Sequence, residues 1–295
     1  MSDRRRVNGP SASTQMPFYY EDDSDTHLRK RDSGLSRPVY LKTGVTPSAS
    51  GSAYLEVGAC RSSGDLGMKL ICTVHGPRSL PRSAPFSPHI VISTHVKYAP
   101  FATRKRRGYT RDTGERDLSV HLETALRGAI IAHRWPKSGV DVIVTVIEGE
   151  TDRRTTNTDC IDEWNTMAVL SGCITAASAA VADAGIDCVG TVTGGVAAVV
   201  LAKSHKVEPS IVIDPVLSDD DLVMAACCVA YLAGRDEVTN LWYRGTSQSV
   251  DLKTRKTLIA RAIMASKGIS DILSLSLVES LASQNHLKTA TAAMY

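Results

Sequence analysis

The chain has 295 residues, of which 34 are basic and 31 acidic, and its formal net charge is +3. A hydrophobic fraction of 43% and a charged fraction of 22% are typical of a globular protein and exclude a wholly disordered chain. The sequence contains no uninterrupted run of eighteen apolar residues, so it predicts no transmembrane helix. The seven cysteines are odd in number and include no Cys-x-x-Cys pair, which argues against a disulfide framework and a zinc ribbon and indicates a reducing compartment.

Residues 1–36 are predicted to be a mostly disordered N-terminal tail, because basic and acidic stretches mixed with Ser and Pro show no apolar period. Order is expected to begin at Arg37. Alternating apolar and polar residues then predict four strands, at 52–58, 69–74, 90–96 and 140–147. Apolar residues at helical spacing predict three helices, at about 115–133, 162–184 and 257–282. A break at Gly234 favours a hairpin within 222–242.

This order of elements predicts an α+β fold in which two halves, each with a sheet and a helix, share one core. The first half is expected at 37–186 and the second at 187–283, with a C-terminal tail at 284–295. No internal repeat is strong enough to show that the halves are duplicates.

The basic residues are concentrated in one window of the chain. Seven of them, against two acidic residues, lie between Lys97 and Arg116, a net charge of +5 that exceeds the charge of the whole chain. Such a patch on a nearly neutral body is typical of a protein that contacts a phosphate backbone.

Four stretches of the sequence resemble the RNase PH family. They cover the hairpin around Gly51-Ser-Ala-Tyr-Leu-Glu-Val-Gly58, the basic loop Pro100-Phe-Ala-Thr-Arg-Lys-Arg-Arg107, the helix from Ile174 to Ile186, and Ile211-Val-Ile-Asp-Pro-Val-Leu-Ser-Asp-Asp220. Within the family, the resemblance is to a non-catalytic ring subunit of the eukaryotic RNA exosome. It implies an RNase PH-like fold over about residues 37–283.

The resemblance also identifies a degenerate phosphate site. Enzymes of the family cleave the 3′ end of RNA with inorganic phosphate, and this anion needs hydroxyl, backbone or guanidinium donors around it. The family's Thr-Arg pair falls on Val169 and Leu170, and a further family arginine falls on Gly114. The chain is therefore expected not to be an enzyme.

The acidic half of the family's site is ambiguous. Asp214 and Asp220 keep the six-residue spacing of its carboxylates and could hold Mg²⁺, but a solvated acidic turn explains 219–221 equally simply. They are treated as vestigial catalytic candidates, and the sequence predicts no metal site and no cofactor.

The basic loop, formed by Arg104, Lys105, Arg106 and Arg107, is the principal candidate for RNA contact. In the family this loop region faces the pore of a hexameric ring, and adjacent cations can follow phosphates without reading bases. A solvated charge run or a nuclear-localisation-like cluster is the alternative.

The resemblance implies a non-catalytic structural and RNA-contacting subunit of the exosome ring that supports 3′–5′ RNA processing, ribosomal RNA maturation and RNA turnover. Its expected partners are RNA, a complementary RNase PH-like subunit in a direct heterodimer, other ring subunits, and cap subunits with RNA-binding domains, with no membrane. Its expected locations are the nucleus, the nucleolus and the cytoplasm. Two alternatives stay open, a phosphorolytic or metal-dependent 3′–5′ exoribonuclease and a free-standing RNA-binding protein.

Overall fold

Two β-sheets and three α-helices make up the part of the chain that the structure describes. The computed structural model describes residues 32–58, 67–81, 83–103, 106–149, 158–202, 210–215, 221–245 and 251–292. The helices are α1 (Thr113–Arg127), α2 (Thr158–Asp183) and α3 (Leu252–Ala292), and a short 3₁₀ helix covers Ala132–Arg134.

The first sheet has five strands in the order β1-β2-β3-β5-β4. They are β1 (Val39–Thr43), β2 (Gly51–Val57), β3 (Met68–Ser79), β4 (Val91–Tyr98) and β5 (Ser138–Glu148). Only the β4–β5 pair of this sheet is parallel, because α1 connects those two strands. In β2, Ala53, Leu55 and Val57 are buried while Tyr54 and Glu56 are half-buried, which confirms the predicted alternation.

The second sheet is antiparallel throughout, with the strand order β7-β6-β8-β9. Its strands are β6 (Val192–Ala202), β7 (Ser210–Ile213), β8 (Asp221–Leu232) and β9 (Glu237–Gly245). The turn between β8 and β9 contains Gly234, so the predicted hairpin is confirmed.

Helix α2 lies between the two sheets and fills the centre of the core. Leu170, Cys173 and Ile174 of α2 belong to one buried cluster with Leu70 of the first sheet and Cys228 of the second. Helix α3 covers the opposite face of the second sheet, where Leu258 and Ala262 pack against a smaller cluster. The predicted α+β fold, with two sheet-and-helix halves and one shared core, is confirmed.

Two neighbouring glycines allow helices to pack on both faces of β6. A Cβ atom on Gly194 would lie 2.3 Å from the backbone oxygen of Ser171 in α2. A Cβ atom on Gly195 would lie 2.2 Å from the backbone oxygen of Ala262 in α3. Successive residues of a strand face opposite sides of the sheet, so the Gly-Gly pair admits one helix backbone on each side.

The stretch Trp164–Asp183 of α2 is long and apolar enough to cross a membrane by length and hydropathy alone. Within the fold, however, 78% of this stretch is buried. That burial is typical of the central helix of a packed core.

The C-terminal ends of two predicted helices need correction. The helix expected over 115–133 ends at Arg127, because Gly128 forms its C-cap, and a separate 3₁₀ turn follows. The last helix was expected to stop near 282 and give way to a tail at 284–295, whereas α3 continues to Ala292. No glycine or proline interrupts the sequence after Gly268, so nothing in the chain terminates the helix there. The predicted division of the chain between 186 and 187 stays a prediction.

Candidate functional site

The two residues predicted to stand in place of a phosphate-binding pair lie inside helix α2. Val169 and Leu170 stand eleven and twelve residues after the first residue of α2, Thr158, and are 2% and 0% exposed. At this depth in a helix, the backbone N–H groups donate to carbonyls four residues earlier and are not free for an anion. Both side chains belong to the main apolar cluster, so the position offers aliphatic carbon and no donor.

Gly114, the third position of the predicted degenerate site, lies in the first turn of helix α1. Asp112 caps this helix, and its backbone N–H donates to the Glu115 carboxylate at 3.0 Å in a capping box. Gly114 is exposed, and a Cβ atom there would meet nothing within 4 Å. The backbone therefore has room for a side chain at this position, but the sequence supplies none.

Asp214, one of the two carboxylates predicted to be vestigial, is bound by Arg37, which lies just before strand β1. The Arg37 Nη2 atom lies 2.6 Å from Asp214 Oδ1, and its Nε atom lies 2.8 Å from Oδ2. The backbone N–H of Arg37 donates to the same Oδ2 at 2.9 Å. Such a bidentate pair is strong because the planar guanidinium matches the carboxylate.

The same carboxylate faces helix α2. A cavity of about 30 Å³ brings Arg37 and Asp214 together with Ala168 and Ser171, which flank the pair Val169–Leu170 in sequence. Asp220 lies outside the described residues. Among the described residues, no group of three or more His, Cys, Asp or Glu side chains comes together in a way that could hold a metal ion.

The basic loop is described only in part, because Arg104 and Lys105 lie outside the described residues. Arg106 is exposed, whereas Arg107 is half-buried. The Arg107 guanidinium lies over the Tyr98 ring at 5.0 Å from the ring centre, and its Nη1 atom is 3.6 Å from Asp112 Oδ2. The two neighbouring arginines are therefore not equivalent, since Arg107 has internal partners.

Lys97 and Glu115 fix the far end of this loop. Glu115, whose side chain is 1% exposed, accepts from Lys97 Nζ at 3.0 and 3.1 Å and from the Tyr98 backbone N–H at 3.0 Å. Lys97 Nζ also donates to the backbone oxygens of Gly108 at 2.9 Å and Thr110 at 3.0 Å. Sequence reasoning counted Lys97 among the surface cations and missed this role. The capping-box spacing of Asp112 and Glu115 was the available signal.

The aromatic residues near the basic loop divide into one anchor and two exposed rings. Tyr98 is 4% exposed and packs under Arg107. Phe101 and Tyr109 are 75% and 93% exposed. The two exposed rings thus lie five residues before and three residues after Arg106 in the sequence.

A profile of the 3′ exoribonuclease family (RNase PH), domain 1, matches residues 36–187, which is more than half of the chain. The chain belongs to the RNase PH family. This family membership confirms the resemblance seen in the four sequence stretches.

Proteins of similar sequence align with most of this chain. The Exosome complex component MTR3 of Chaetomium thermophilum is 58% identical over 278 residues, which cover 92% of this chain and 97% of that protein. The Exosome complex component mtr3 of Schizosaccharomyces pombe is 33% identical, with 83% and 85% of the two chains covered. The crystal structure of Rrp46 from rice (Oryza sativa) superposes with a TM-score of 0.63 at 16% identity, covering 84% of this chain and 98% of that one. This last similarity shows the RNase PH fold alone.

Proposed function

We propose that this member of the RNase PH family is a structural, RNA-contacting subunit of the RNA exosome ring and does not itself catalyse phosphorolysis. Its relatives named Exosome complex component MTR3 align over nearly their whole length, which supports the ring assignment. In this role the chain supports 3′–5′ RNA processing, ribosomal RNA maturation and RNA turnover.

The observation that carries the non-catalytic assignment is the course of helix α2 through Val169 and Leu170. Phosphorolysis needs a bound phosphate, a multiply charged anion whose transfer into an apolar environment without donors is prohibitively costly. Both side chains lie in the core, and the helix leaves no loop at this point. The protein therefore has no donors at Val169 and Leu170 that could bind the phosphate nucleophile.

The environment of Asp214 supports the same assignment. Both oxygens of its carboxylate accept from Arg37, and the guanidinium places a positive charge beside them. A divalent cation bound to this carboxylate would be repelled by that charge. Asp214 is therefore suited to hold the N-terminal segment in place rather than to act as a metal ligand.

The RNA-contacting part of the proposal depends on the basic loop. Arg106 is exposed and has no ion pair with a described carboxylate, while the rings of Phe101 and Tyr109, within five residues of it in the sequence, are exposed as well. Cations combined with aromatic rings suit single-stranded nucleic acid, which they bind without sequence preference.

The proposal extends to the subunits that the chain contacts and to the compartments in which it works. The direct partner is a complementary RNase PH-like subunit, and the ring also carries cap subunits with RNA-binding domains. The complex works in the nucleus, the nucleolus and the cytoplasm, and imaging of a fluorescent fusion of the full chain tests this distribution.

An activity assay tests the non-catalytic assignment. The purified chain is incubated with 3′-labelled RNA, inorganic phosphate and Mg²⁺, and the expected result is no release of labelled nucleoside diphosphates. Release that Asp220→Ala abolishes would overturn the assignment.

Reconstitution tests the ring assignment. Co-expression with RNase PH-like ring subunits should give a stoichiometric complex on size-exclusion chromatography. A stable monomer that ignores every such subunit would favour a free-standing RNA-binding protein. Changing Arg104, Lys105, Arg106 and Arg107 together to Ala should weaken RNA binding and leave assembly intact.

A further inference from the structure

The backbone on both sides of Tyr109 is fixed by a single ammonium group. Lys97 Nζ donates to the carbonyl oxygen before Tyr109, that of Gly108, and to the carbonyl oxygen after it, that of Thr110. The same nitrogen is bound by the carboxylate of Glu115. Because the Glu115 side chain is 1% exposed and accepts from Asp112 N–H and Tyr98 N–H as well, this anchor belongs to the folded body of the protein.

The side chain of Tyr109 contrasts with its fixed backbone. Its ring is 93% exposed, the largest exposed fraction among the large hydrophobic residues that the structure describes. Burying an aromatic ring of this size lowers the free energy of the folded state. The exposed ring of Tyr109 makes no such contribution to the stability of the chain. A rigid backbone with a free ring loses little conformational entropy when a ligand stacks on the ring.

The charges around Tyr109 indicate the chemistry of that ligand. The two acidic residues of the basic window are neutralised internally, Asp112 by Arg107 and Glu115 by Lys97. The exposed residues Arg106 and Arg116 have no ion pair with a described carboxylate. Arg106 precedes Tyr109 by three residues, so their Cα atoms lie at most about 11 Å apart. The chain segment around Tyr109 thus presents Arg106 and Arg116 as exposed cations, and the exposed acidic residue Asp117 directly follows Arg116.

We propose that Tyr109 is a stacking platform for an unpaired base of single-stranded RNA, with Arg106 binding the adjacent phosphate and Lys97 acting as the positioning residue of the platform. This inference deepens the proposed function and rests on it, since it assigns the RNA-contacting role to particular side chains. A ligand with both a flat aromatic group and a phosphate satisfies the two exposed groups together. A protein partner of apolar character would leave the Arg106 charge without a counterpart.

Fluorescence anisotropy with a fluorescein-labelled oligouridylate tests the proposal, on the full chain and on the reconstituted ring. Tyr109→Ala should weaken binding roughly five-fold or more, as expected for the loss of one stacked base. Tyr109→Phe keeps the ring and should bind like the unmodified chain. Because Tyr109 is exposed, thermal unfolding should be unchanged in both variants, which shows that the comparison is between folded proteins.

The positioning role of Lys97 is tested by combining variants. Lys97→Met should weaken RNA binding to a degree similar to that of Tyr109→Ala, and the double variant should be no weaker than Tyr109→Ala alone. Additive losses would show that Lys97 acts independently of the ring and would overturn its positioning role.

Two outcomes would overturn the stacking proposal itself. In one, Tyr109→Ala binds RNA unchanged while the chain still assembles into the ring, which removes the platform and leaves the proposed function intact. In the other, Tyr109→Ala loses ring assembly at unchanged RNA affinity, which makes the ring a docking residue for a neighbouring protein. Assembly of the unmodified chain is measured separately, so failure of the ring assignment is recognised independently.

Discussion

Arg37 and Asp214 are separated by 177 positions in the sequence and form a bidentate ion pair inside the fold. The side chains are 4% and 18% exposed, so this pair is largely withdrawn from water. Asp214 itself has a positive φ of 49°, and its backbone N–H donates to Val196 at 2.9 Å. The pair connects the segment before β1 with the end of β7 and therefore joins the two halves of the chain.

The first prediction concerns the stability that this pair supplies. Asp214→Asn keeps the shape of the side chain and tolerates the positive φ, but it removes the negative charge that the buried guanidinium of Arg37 contacts through two hydrogen bonds. We expect the free energy of unfolding to fall by about 3–5 kcal/mol, measured by urea denaturation.

The ion pair between Arg134 and Asp187 provides a matched control. Its side chains are 61% and 38% exposed, with the atoms 3.4 Å apart. Asp187→Asn should therefore cost less than about 1 kcal/mol. Equal losses in the two variants would contradict a special structural role for Asp214.

The ion pairs Arg37–Asp214 and Lys97–Glu115 could not be predicted from the sequence. Arg37 and Asp214 were each singled out, one as the start of the ordered chain and one as a vestigial carboxylate, but nothing local in the sequence indicates that they meet. Lys97 was counted as a surface cation, although it binds Glu115 across an intervening loop. Strand alternation depends on neighbouring residues and was predictable, whereas pairing across loops depends on how the whole chain closes.

The second prediction compares arginine substitutions at two positions of the predicted degenerate phosphate site. Leu170→Arg would place a charge without a partner in the core, and we expect a loss of about 4 kcal/mol or more in the free energy of unfolding. Gly114→Arg enters open space on α1. There the gain in helix propensity is offset by an unfavourable helix-dipole term, so stability should change by less than about 1 kcal/mol.

Urea denaturation of both arginine variants measures this difference. A Leu170→Arg chain as stable as the unmodified protein would show that the position can turn outward to water. In that case the core environment would no longer argue against a phosphate site.

The Gly194–Gly195 pair permits a helix packing that the sequence pattern did not predict. The helical spacing of apolar residues predicted α2 and α3, but it did not indicate that the backbones of both helices contact the backbone of the same strand, β6. Only the absence of two Cβ atoms makes that packing possible.

The third prediction follows from this close approach. Gly195→Ala would place a Cβ atom 2.2 Å from the Ala262 oxygen and 2.8 Å from the Ser266 nitrogen. Because both are backbone atoms of α3, the helix must move, and we expect a loss of about 3 kcal/mol or more. Thermal and urea unfolding measure the loss.

Gly234→Ala is the control for this substitution. A Cβ atom at Gly234 meets nothing within 4 Å, and its φ is not positive. The change should be slightly stabilising, by less than about 1 kcal/mol, because alanine restricts the unfolded chain. If Gly195→Ala were as harmless as Gly234→Ala, the packing of α3 on β6 would be looser than described.

The fourth prediction concerns the five cysteines whose side chains the structure describes, which are all free thiols. Burial raises the pKa of Cys188 to about 11 and the pKa values of Cys173 and Cys227 to about 12. Burial also raises the pKa values of Cys72 and Cys228. At pH 8 these thiols are almost entirely protonated, so iodoacetamide should modify them slowly in the folded chain and rapidly in urea. Peptide mass mapping identifies each modified site.

The same pKa values fix the pH dependence of stability. A thiol in the unfolded chain has a pKa of about 8.5, so as the pH rises the unfolded state loses its proton before the folded state does. The folded state is therefore fully favoured below about pH 8.5 and progressively less favoured as the pH rises toward the folded pKa values. The urea midpoint should fall between pH 8.5 and pH 10.5, and Cys173→Ala should make this decline shallower while lowering stability at every pH. A midpoint that rises over this interval would mean that the thiols are ionised in the folded protein.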